Sequence, residues 1–146
     1  MTYAWCPHEG AGPQAVELLF DGGDVALSEL RVKQLLQRYV DHINAGEVDK
    51  LIALFAEDAE IEDPIGSGPR RGHEELRIFY QAALSRGVQI VVEGPIRGSQ
   101  SNTAAMAFRV NLPSATVSAI EMMTFRDDEK IARMVACFGP MDISRY

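Results

Sequence analysis

Three segments in the first half of the chain repeat apolar residues with a helical period. The first runs from Ser28, a typical N-cap residue, to the terminator Gly46, and a short second segment follows directly. The third covers residues 73–86 and ends before Gly87. The inward stripes comprise Val32, Leu35, Leu36, Tyr39, Val40 and Ile43, then Val48, Leu51, Ile52 and Phe55, then Leu76, Phe79, Tyr80 and Ala83. Three helices, each with one apolar face, are therefore predicted.

The remaining segments alternate apolar and polar residues, as β-strands do. A first strand ends at Pro64 and carries Asp63 on the same face as Ala59 and Ile61. Four further strands are predicted at residues 88–92, 103–110, 116–125 and 130–138. Helices followed by a meander of strands indicate an α+β domain, with three helices packed on one face of a curved, mostly antiparallel sheet.

The chain has the size and composition of one globular domain. It contains 146 residues, of which 47% are hydrophobic, and carries a net charge of -7. The negative charge argues against nucleic acid and anionic membranes as partners. The longest apolar run, residues 51–56, is far shorter than the roughly 20 residues of a membrane span. Two cysteines and no visible secretory signal predict a cytoplasmic protein with free thiols, and Cys137 is expected in the core.

Residues 1–25 differ from the rest of the chain. Glycine and proline pairs interrupt every helical or strand period in this stretch. We interpret it as a flexible, loosely attached N-terminal arm, with a mis-assigned start site as the alternative. Residues 26–146 are expected to form the single domain.

Four polar side chains interrupt faces that are otherwise apolar. Asp63 ends the inward face of the first strand, and Glu121 is the only polar residue on one face of the strand at 116–125. Tyr39 and Tyr80 lie in the inward stripes of two helices. Because an unpaired carboxylate is costly to bury, we expect both carboxyl pKa values to be raised. Such carboxyls in a cavity are candidate general acids and bases.

Each of these residues also has a purely structural interpretation. The tyrosines are typical of a core with hydroxyls at its rim, Asp63 is typical of a turn before proline, and a β-bulge would turn Glu121 outward. Other chemistry is not indicated, because the histidines lack metal-ligand spacing and no nucleophile-elbow or phosphate-loop motif occurs. The pair Arg70 and Arg71 is expected to be solvated. No metal and no cofactor is predicted.

Several stretches of the chain strongly resemble the bacterial Δ5-3-ketosteroid isomerases. They are residues 37–40, 44–47, 53–59, 61–66, 71–72, 79–80, 105–110 and 131–134. The resemblance covers roughly residues 29–140 and implies the cone-shaped fold of the nuclear-transport-factor-like and SnoaL-like superfamily, with its helices on a mixed sheet. That superfamily also includes polyketide cyclases and epoxide hydrolases, so the fold alone does not decide the function.

The resemblance implies roles for individual residues. Asp63 matches the family's catalytic base, which carries a proton from C4 to C6 of a 3-oxo-Δ5-steroid. Tyr39 matches the oxyanion-hole tyrosine, and Tyr80 matches a tyrosine that supports it. Apolar walls of the substrate site are implied at Phe108, Met134 and Phe138.

Two positions depart from the family pattern. Glu121 stands where the family keeps an aspartic acid neutral so that it can donate a hydrogen bond to the dienolate oxygen. Its additional methylene alters the reach of the carboxyl. Phe55 stands where some members have a third supporting tyrosine at the substrate site.

The leading hypothesis is a cofactor-free steroid Delta-isomerase, working as a homodimer on a steroid or a similar fused-ring enone. A polyketide cyclase-like enzyme with the same base and donors is one alternative. The other is a binding protein for steroid-like ligands without efficient catalysis, which the change at Glu121 leaves open.

Overall fold

A computed structural model of the protein describes residues 27–146, so the predicted arm at residues 1–25 lies outside the described residues. The helices are α1 (Glu29–Ala45), α2 (Val48–Ala53) and α3 (Gly72–Ser85). The strands are β1 (Phe55–Glu62), β2 (Arg70–Arg71), β3 (Gln89–Gly98), β4 (Thr103–Leu112), β5 (Ala115–Phe125), β6 (Ile131–Cys137) and β7 (Ile143–Arg145). None of these helices is long and apolar enough to cross a membrane.

Helix α1 begins and ends where its sequence predicts. The Ser28 hydroxyl accepts a hydrogen bond from the backbone N–H of Arg31 at 3.1 Å. Gly46 closes the other end in the left-handed conformation, with a φ of 69°, which glycine adopts at little cost. The predicted stripe, including Tyr39, is buried along the whole helix. Since burial of an apolar face supplies most of a helix's stability, α1 is held firmly against the sheet.

The strands form one mixed sheet in the order β2-β1-β6-β5-β4-β3. Strands β1 and β6 run parallel, the other neighbours run antiparallel, and β7 pairs with the start of β5. Helix α1 packs on β3 and β4, and helix α3 packs on β1. The predicted α+β architecture, three helices on a curved mixed sheet, is confirmed. The inner faces of β5 and β6 therefore lie between the part of the sheet covered by α1 and the part covered by α3.

Two strand boundaries differ from the sequence pattern by more than two residues. Phe55, predicted in the second helix, is the first residue of β1 and pairs with Ile131 of β6. Strand β3 extends to Gly98, although it contains Pro95. A register shift after Glu93 removes the proline from the ladder, where its missing N–H would otherwise break pairing. The short strands β2 and β7 were not predicted, because two or three residues carry no readable alternation.

Two side chains lie in surroundings other than those predicted. Cys137, expected in the core, is exposed, because the alternation of β6 turns Ala136 inward instead. Arg70, expected to be solvated, is partly buried and lies over the ring of Phe79. Its neighbour Arg71 is exposed, as predicted.

Candidate active site

A mostly apolar cavity lies between helices α1 and α3 and the inner face of the sheet. Its volume is about 230 Å³. The polar side chains that reach it are Tyr39, Asp63, Tyr80 and Glu121. Its apolar walls include Phe79, Phe108, Val117, Ala119 and Phe138. An apolar cavity with a few convergent polar groups is the usual form of a small-molecule site.

Regular strand pairing directs Glu121 into this cavity. It lies opposite Met106 in the continuous ladder between β4 and β5. The register shift between β5 and β6 falls between Thr124 and Phe125, beyond Glu121. No bulge therefore turns the side chain outward, and Glu121 is only 1% exposed.

Three polar side chains meet at the buried end of the cavity. The Tyr39 and Tyr80 hydroxyls lie 3.1 Å apart, and the Tyr39 hydroxyl lies 3.5 Å from Glu121 Oε2. The other carboxyl oxygen, Glu121 Oε1, is buried and has no hydrogen-bond partner among residues 27–146. Because buried polar atoms are nearly always paired, this unpaired oxygen is available to contact a small molecule in the cavity.

Burial determines the protonation of these three groups. It raises the pKa of Glu121 well above its usual range, and the neighbouring charge of Asp63 raises it further. Burial likewise raises the pKa of Tyr39 and of Tyr80 well above theirs. These shifts favour the neutral form of all three groups, in which each holds a proton that it can donate. The raised carboxyl pKa expected from the sequence at Glu121 is confirmed.

Asp63 occupies a more open part of the cavity, directly after the last residue of β1. Its side chain is half-buried and makes no hydrogen bond within the described part of the chain. Burial raises the pKa of Asp63, while the positive charge of Arg70 opposes the rise. The pKa of Asp63 thus rises less than that of Glu121. Two carboxyls whose pKa values are pushed apart suit the separate roles of base and acid.

The other predicted site residues divide into two groups. Phe108 and Phe138 line the cavity, whereas Phe55 and Met134 are buried in the core and do not line it. Phe55 packs behind the tyrosines, its ring centroid 6.2 Å from that of Tyr39 and 5.7 Å from that of Tyr80. Such packing between aromatic rings helps to hold both hydroxyls in place.

Sequence reasoning missed several walls of the cavity. Phe79 and Ala83 stood in the inward stripe of the third helix, and Val117 on the inward face of a strand, without being assigned to a site. An apolar stripe looks the same whether it borders a filled core or a cavity, so the sequence held no signal that separates them. Across residues 27–146, no three His, Cys, Asp or Glu side chains are placed to hold a metal ion.

The neutral state of Glu121 predicts how stability depends on pH. Its carboxyl stays protonated in the fold but ionises in the unfolded chain above its usual pKa of 4.5. The free energy of unfolding is therefore unaffected by this difference below pH 4.5. It falls as the pH rises from there towards the folded-state pKa, by at most about 1.4 kcal/mol per pH unit. We expect the free energy of unfolding to fall less steeply between about pH 5 and 8 in Glu121→Gln than in the wild type. Urea unfolding across this range measures both slopes, and equal slopes would show that Glu121 is ionised in the fold.

Fold and site together define the class of this protein. Three helices on an open, curved mixed sheet, with a polar-ended apolar cavity between them, form a nuclear-transport-factor-like domain. Residues 36–134 match the SnoaL-like domain family. The chain belongs to the SnoaL-like family.

Three relatives illustrate the activities found on this fold. The chain is 33% identical over 116 residues to a steroid Delta-isomerase from Nocardioides simplex, covering 77% of this chain and 93% of that protein. It is 32% identical over 97 residues to the epoxide hydrolase LasB from Streptomyces lasalocidi, covering 64% of this chain and 34% of that protein. The structure of SalBIII, an epoxide hydrolase/cyclase-like enzyme of pyran ring formation in the polyether salinomycin, superimposes with a TM-score of 0.76 at 25% identity. That match covers 80% of this chain and 97% of SalBIII.

Proposed function

We propose that the protein is a cofactor-independent steroid Delta-isomerase, which moves the double bond of a 3-oxo-Δ5-steroid to the Δ4 position. The observation that carries the proposal is the meeting of a more open carboxyl, Asp63, and two neutral donors, Tyr39 and Glu121, in one apolar cavity. The 33% identity to a steroid Delta-isomerase over 93% of that protein's length supports it.

The proposed reaction is two proton transfers on one substrate. Ionised Asp63 takes the proton from C4, the electrons of that bond form C3=C4, and the carbonyl electrons move onto the C3 oxygen. Tyr39 and Glu121 donate hydrogen bonds to this oxygen as its negative charge develops. The oxygen electrons then return to re-form the C3 carbonyl, the C3=C4 electron pair moves to C4=C5, and the C5=C6 electron pair takes the proton back from Asp63 at C6. Electrons and protons balance within the substrate, so the step needs no co-reactant.

The cavity suits a rigid, apolar substrate that enters by one end. Its volume of about 230 Å³ lies below the roughly 300–1,000 Å³ of sites that enclose a whole drug-sized ligand. The ring that bears the ketone would occupy the cavity, with its oxygen towards Tyr39. The remaining fused rings would lie further out, along the half-buried side chains of Phe79 and Phe138.

Conversion of a β,γ-unsaturated 3-ketosteroid tests the proposal, because the conjugated product absorbs in the ultraviolet and the substrate does not. We expect turnover by the purified protein with no addition of metal or nucleotide. A saturated 3-ketosteroid serves as the control, since it can bind but has no double bond to move. Tight binding of a phenolic steroid without any turnover would instead favour a non-catalytic binding protein for steroid-like ligands.

A second candidate function is a polyketide cyclase-like enzyme that opens epoxides. The similarity to LasB and to SalBIII favours it. The same groups would serve, with Asp63 taking the proton of an attacking hydroxyl while Glu121 gives its proton to the epoxide oxygen as the carbon–oxygen bond breaks. Ring closure of an epoxy-alcohol, without isomerisation of the ketosteroid, would decide for this activity.

We also infer a homodimer in which a second copy covers the outer face of the sheet. Ile120 and Met122 of β5 and Val91 of β3 lie on this face and are 60%, 45% and 41% exposed. Burial of such an apolar patch favours association. We expect Ile120→Lys to lower the sedimentation coefficient to that of a monomer, and Gln81→Lys, exposed on α3, to leave it unchanged. A monomeric wild type would contradict the inference.

A further inference from the structure

Arg70 lies beside the candidate site without lining its cavity. Its backbone pairs with Ile61 of β1, two residues before Asp63. The guanidinium carbon is 4.6 Å from the centroid of the Phe79 ring, a cation–π contact with one wall of the cavity. Among residues 27–146, Arg70 forms no ion pair within 4.0 Å, and its buried Nη1 has no hydrogen-bond partner. The positive charge is therefore held in place without being neutralised by contact.

Arg70 is also the charged group whose positive charge lowers the pKa of Asp63 and so opposes the effect of burial. The polar groups that face Asp63 from the surrounding elements are Tyr39 of α1, Tyr80 of α3 and Glu121 of β5. Burial raises the pKa of each of these three and so favours its neutral form. The other arginines of the neighbouring strands, Arg71 and Arg133, face Glu60 at 2.8 and 3.9 Å.

We propose that Arg70 is a positioning residue, a fixed positive charge that keeps the Asp63 carboxyl ionised for its role as base. The inference rests on the proposed proton transfer. A cation in direct contact with Asp63 would occupy its carboxylate oxygens. No such contact exists, because no basic nitrogen of the described residues lies within 4.0 Å of Asp63. Coulomb attraction falls off only gradually with distance where apolar walls screen it weakly. Arg70 thus favours the charged form and leaves both oxygens free for the substrate.

Removal of the positive charge of Arg70 should lower activity at acidic pH. Without Arg70, burial acts unopposed and raises the pKa of Asp63 further. The carboxyl then stays protonated, and inactive as a base, up to a higher pH. The effect disappears at alkaline pH, where Asp63 is ionised in either case.

The inference is tested with the variant Arg70→Met, which removes the charge but keeps an apolar side chain against Phe79. The measurement is the pH dependence of kcat/KM for ketosteroid isomerisation. We expect the acidic limb to move to higher pH, with kcat/KM on that limb lowered about tenfold, the small end of what a neighbouring opposite charge does. The alkaline plateau should be unchanged. Arg70→Lys restores the charge and should recover the wild-type profile, and Arg71→Met, on the exposed side, should leave the profile unaltered. A profile of Arg70→Met that overlays the wild type, or one that falls equally at every pH, would overturn the inference.

A direct titration of Asp63 separates this inference from the proposed function. Isotope-edited infrared spectra of protein labelled in its aspartate carboxyls report ionisation without any substrate, and Asp63→Asn assigns the band. We expect the midpoint of the Asp63 titration to be higher in Arg70→Met than in the wild type. An unchanged midpoint in an active isomerase refutes the role of Arg70 alone. A raised midpoint in a protein that isomerises no ketosteroid supports the role of Arg70 and refutes the proposed reaction alone.

Discussion

Asp63→Asn should lower the turnover of a 3-oxo-Δ5-steroid by about 10²- to 10⁴-fold, the usual contribution of a general base. The amide has nearly the same size as the carboxylate but cannot take the C4 proton. The other polar groups of the cavity, Tyr39, Tyr80 and Glu121, already hold their protons because burial raises the pKa of each. No second base in the cavity can therefore replace Asp63. Initial rates at saturating substrate measure the loss directly.

Glu62→Gln provides the matched control for this variant. Glu62 precedes Asp63 and points to the opposite face of the strand, where its Oε1 accepts a hydrogen bond from the Gly66 N–H at 2.9 Å. The amide oxygen of glutamine can accept the same bond, so we expect wild-type turnover. Equal melting temperatures of the two variants would show that the fold is intact. Should Asp63→Asn keep more than about a tenth of wild-type turnover, Asp63 is not the base.

Tyr39→Phe should lower kcat by on the order of 10²-fold, the usual effect of removing one donor to a developing oxyanion. The change removes a single hydroxyl at the buried end of the cavity, 3.5 Å from Glu121 Oε2, and leaves the ring packing in place. The substrate carbonyl is a weaker acceptor than the dienolate oxygen, so KM should change much less than kcat. Steady-state kinetics that resolve kcat from KM measure both effects.

Tyr80→Phe is the matched control for Tyr39→Phe, because it removes the neighbouring hydroxyl instead. The Tyr80 hydroxyl lies 3.1 Å from that of Tyr39, and in the proposed mechanism it supports the oxyanion donor Tyr39 rather than serving as the donor itself. We expect a loss in kcat clearly smaller than that of Tyr39→Phe. Equal losses would mean that the two phenols share the donor role. An effect of Tyr39→Phe confined to KM would assign Tyr39 to substrate binding.

Much of the fold was predictable because helix and strand periods are local properties. The stripe of α1 and its caps Ser28 and Gly46 appear in the structure where the sequence places them. The inward position of Glu121 followed from the alternation of one strand, and continuous pairing with β4 removed the alternative of a bulge. The polar groups of the candidate site were therefore predictable from local sequence pattern, whereas their mutual distances were not.

Other features depended on contacts that no local period contains. Phe55 continues the helical stripe of its neighbours, yet pairing with Ile131 of the parallel strand β6 draws it into β1. The sequence predicts a surface position for Arg70, yet the two-residue strand β2 brings it against Phe79. The exposure of Cys137 depends on the exact phase at the end of β6, which the sequence pattern did not resolve.

By itself, the sequence determined the inward direction of the four polar side chains of the candidate site, because that direction depends on a residue's phase within its own helix or strand. Only the tertiary structure decided that Tyr39, Asp63, Tyr80 and Glu121 share one cavity, since they come from four segments that meet through long-range strand pairing and helix packing. It also decided their protonation. Burial, which depends on what the rest of the chain places around a group, separates the neutral Glu121 from the more open Asp63.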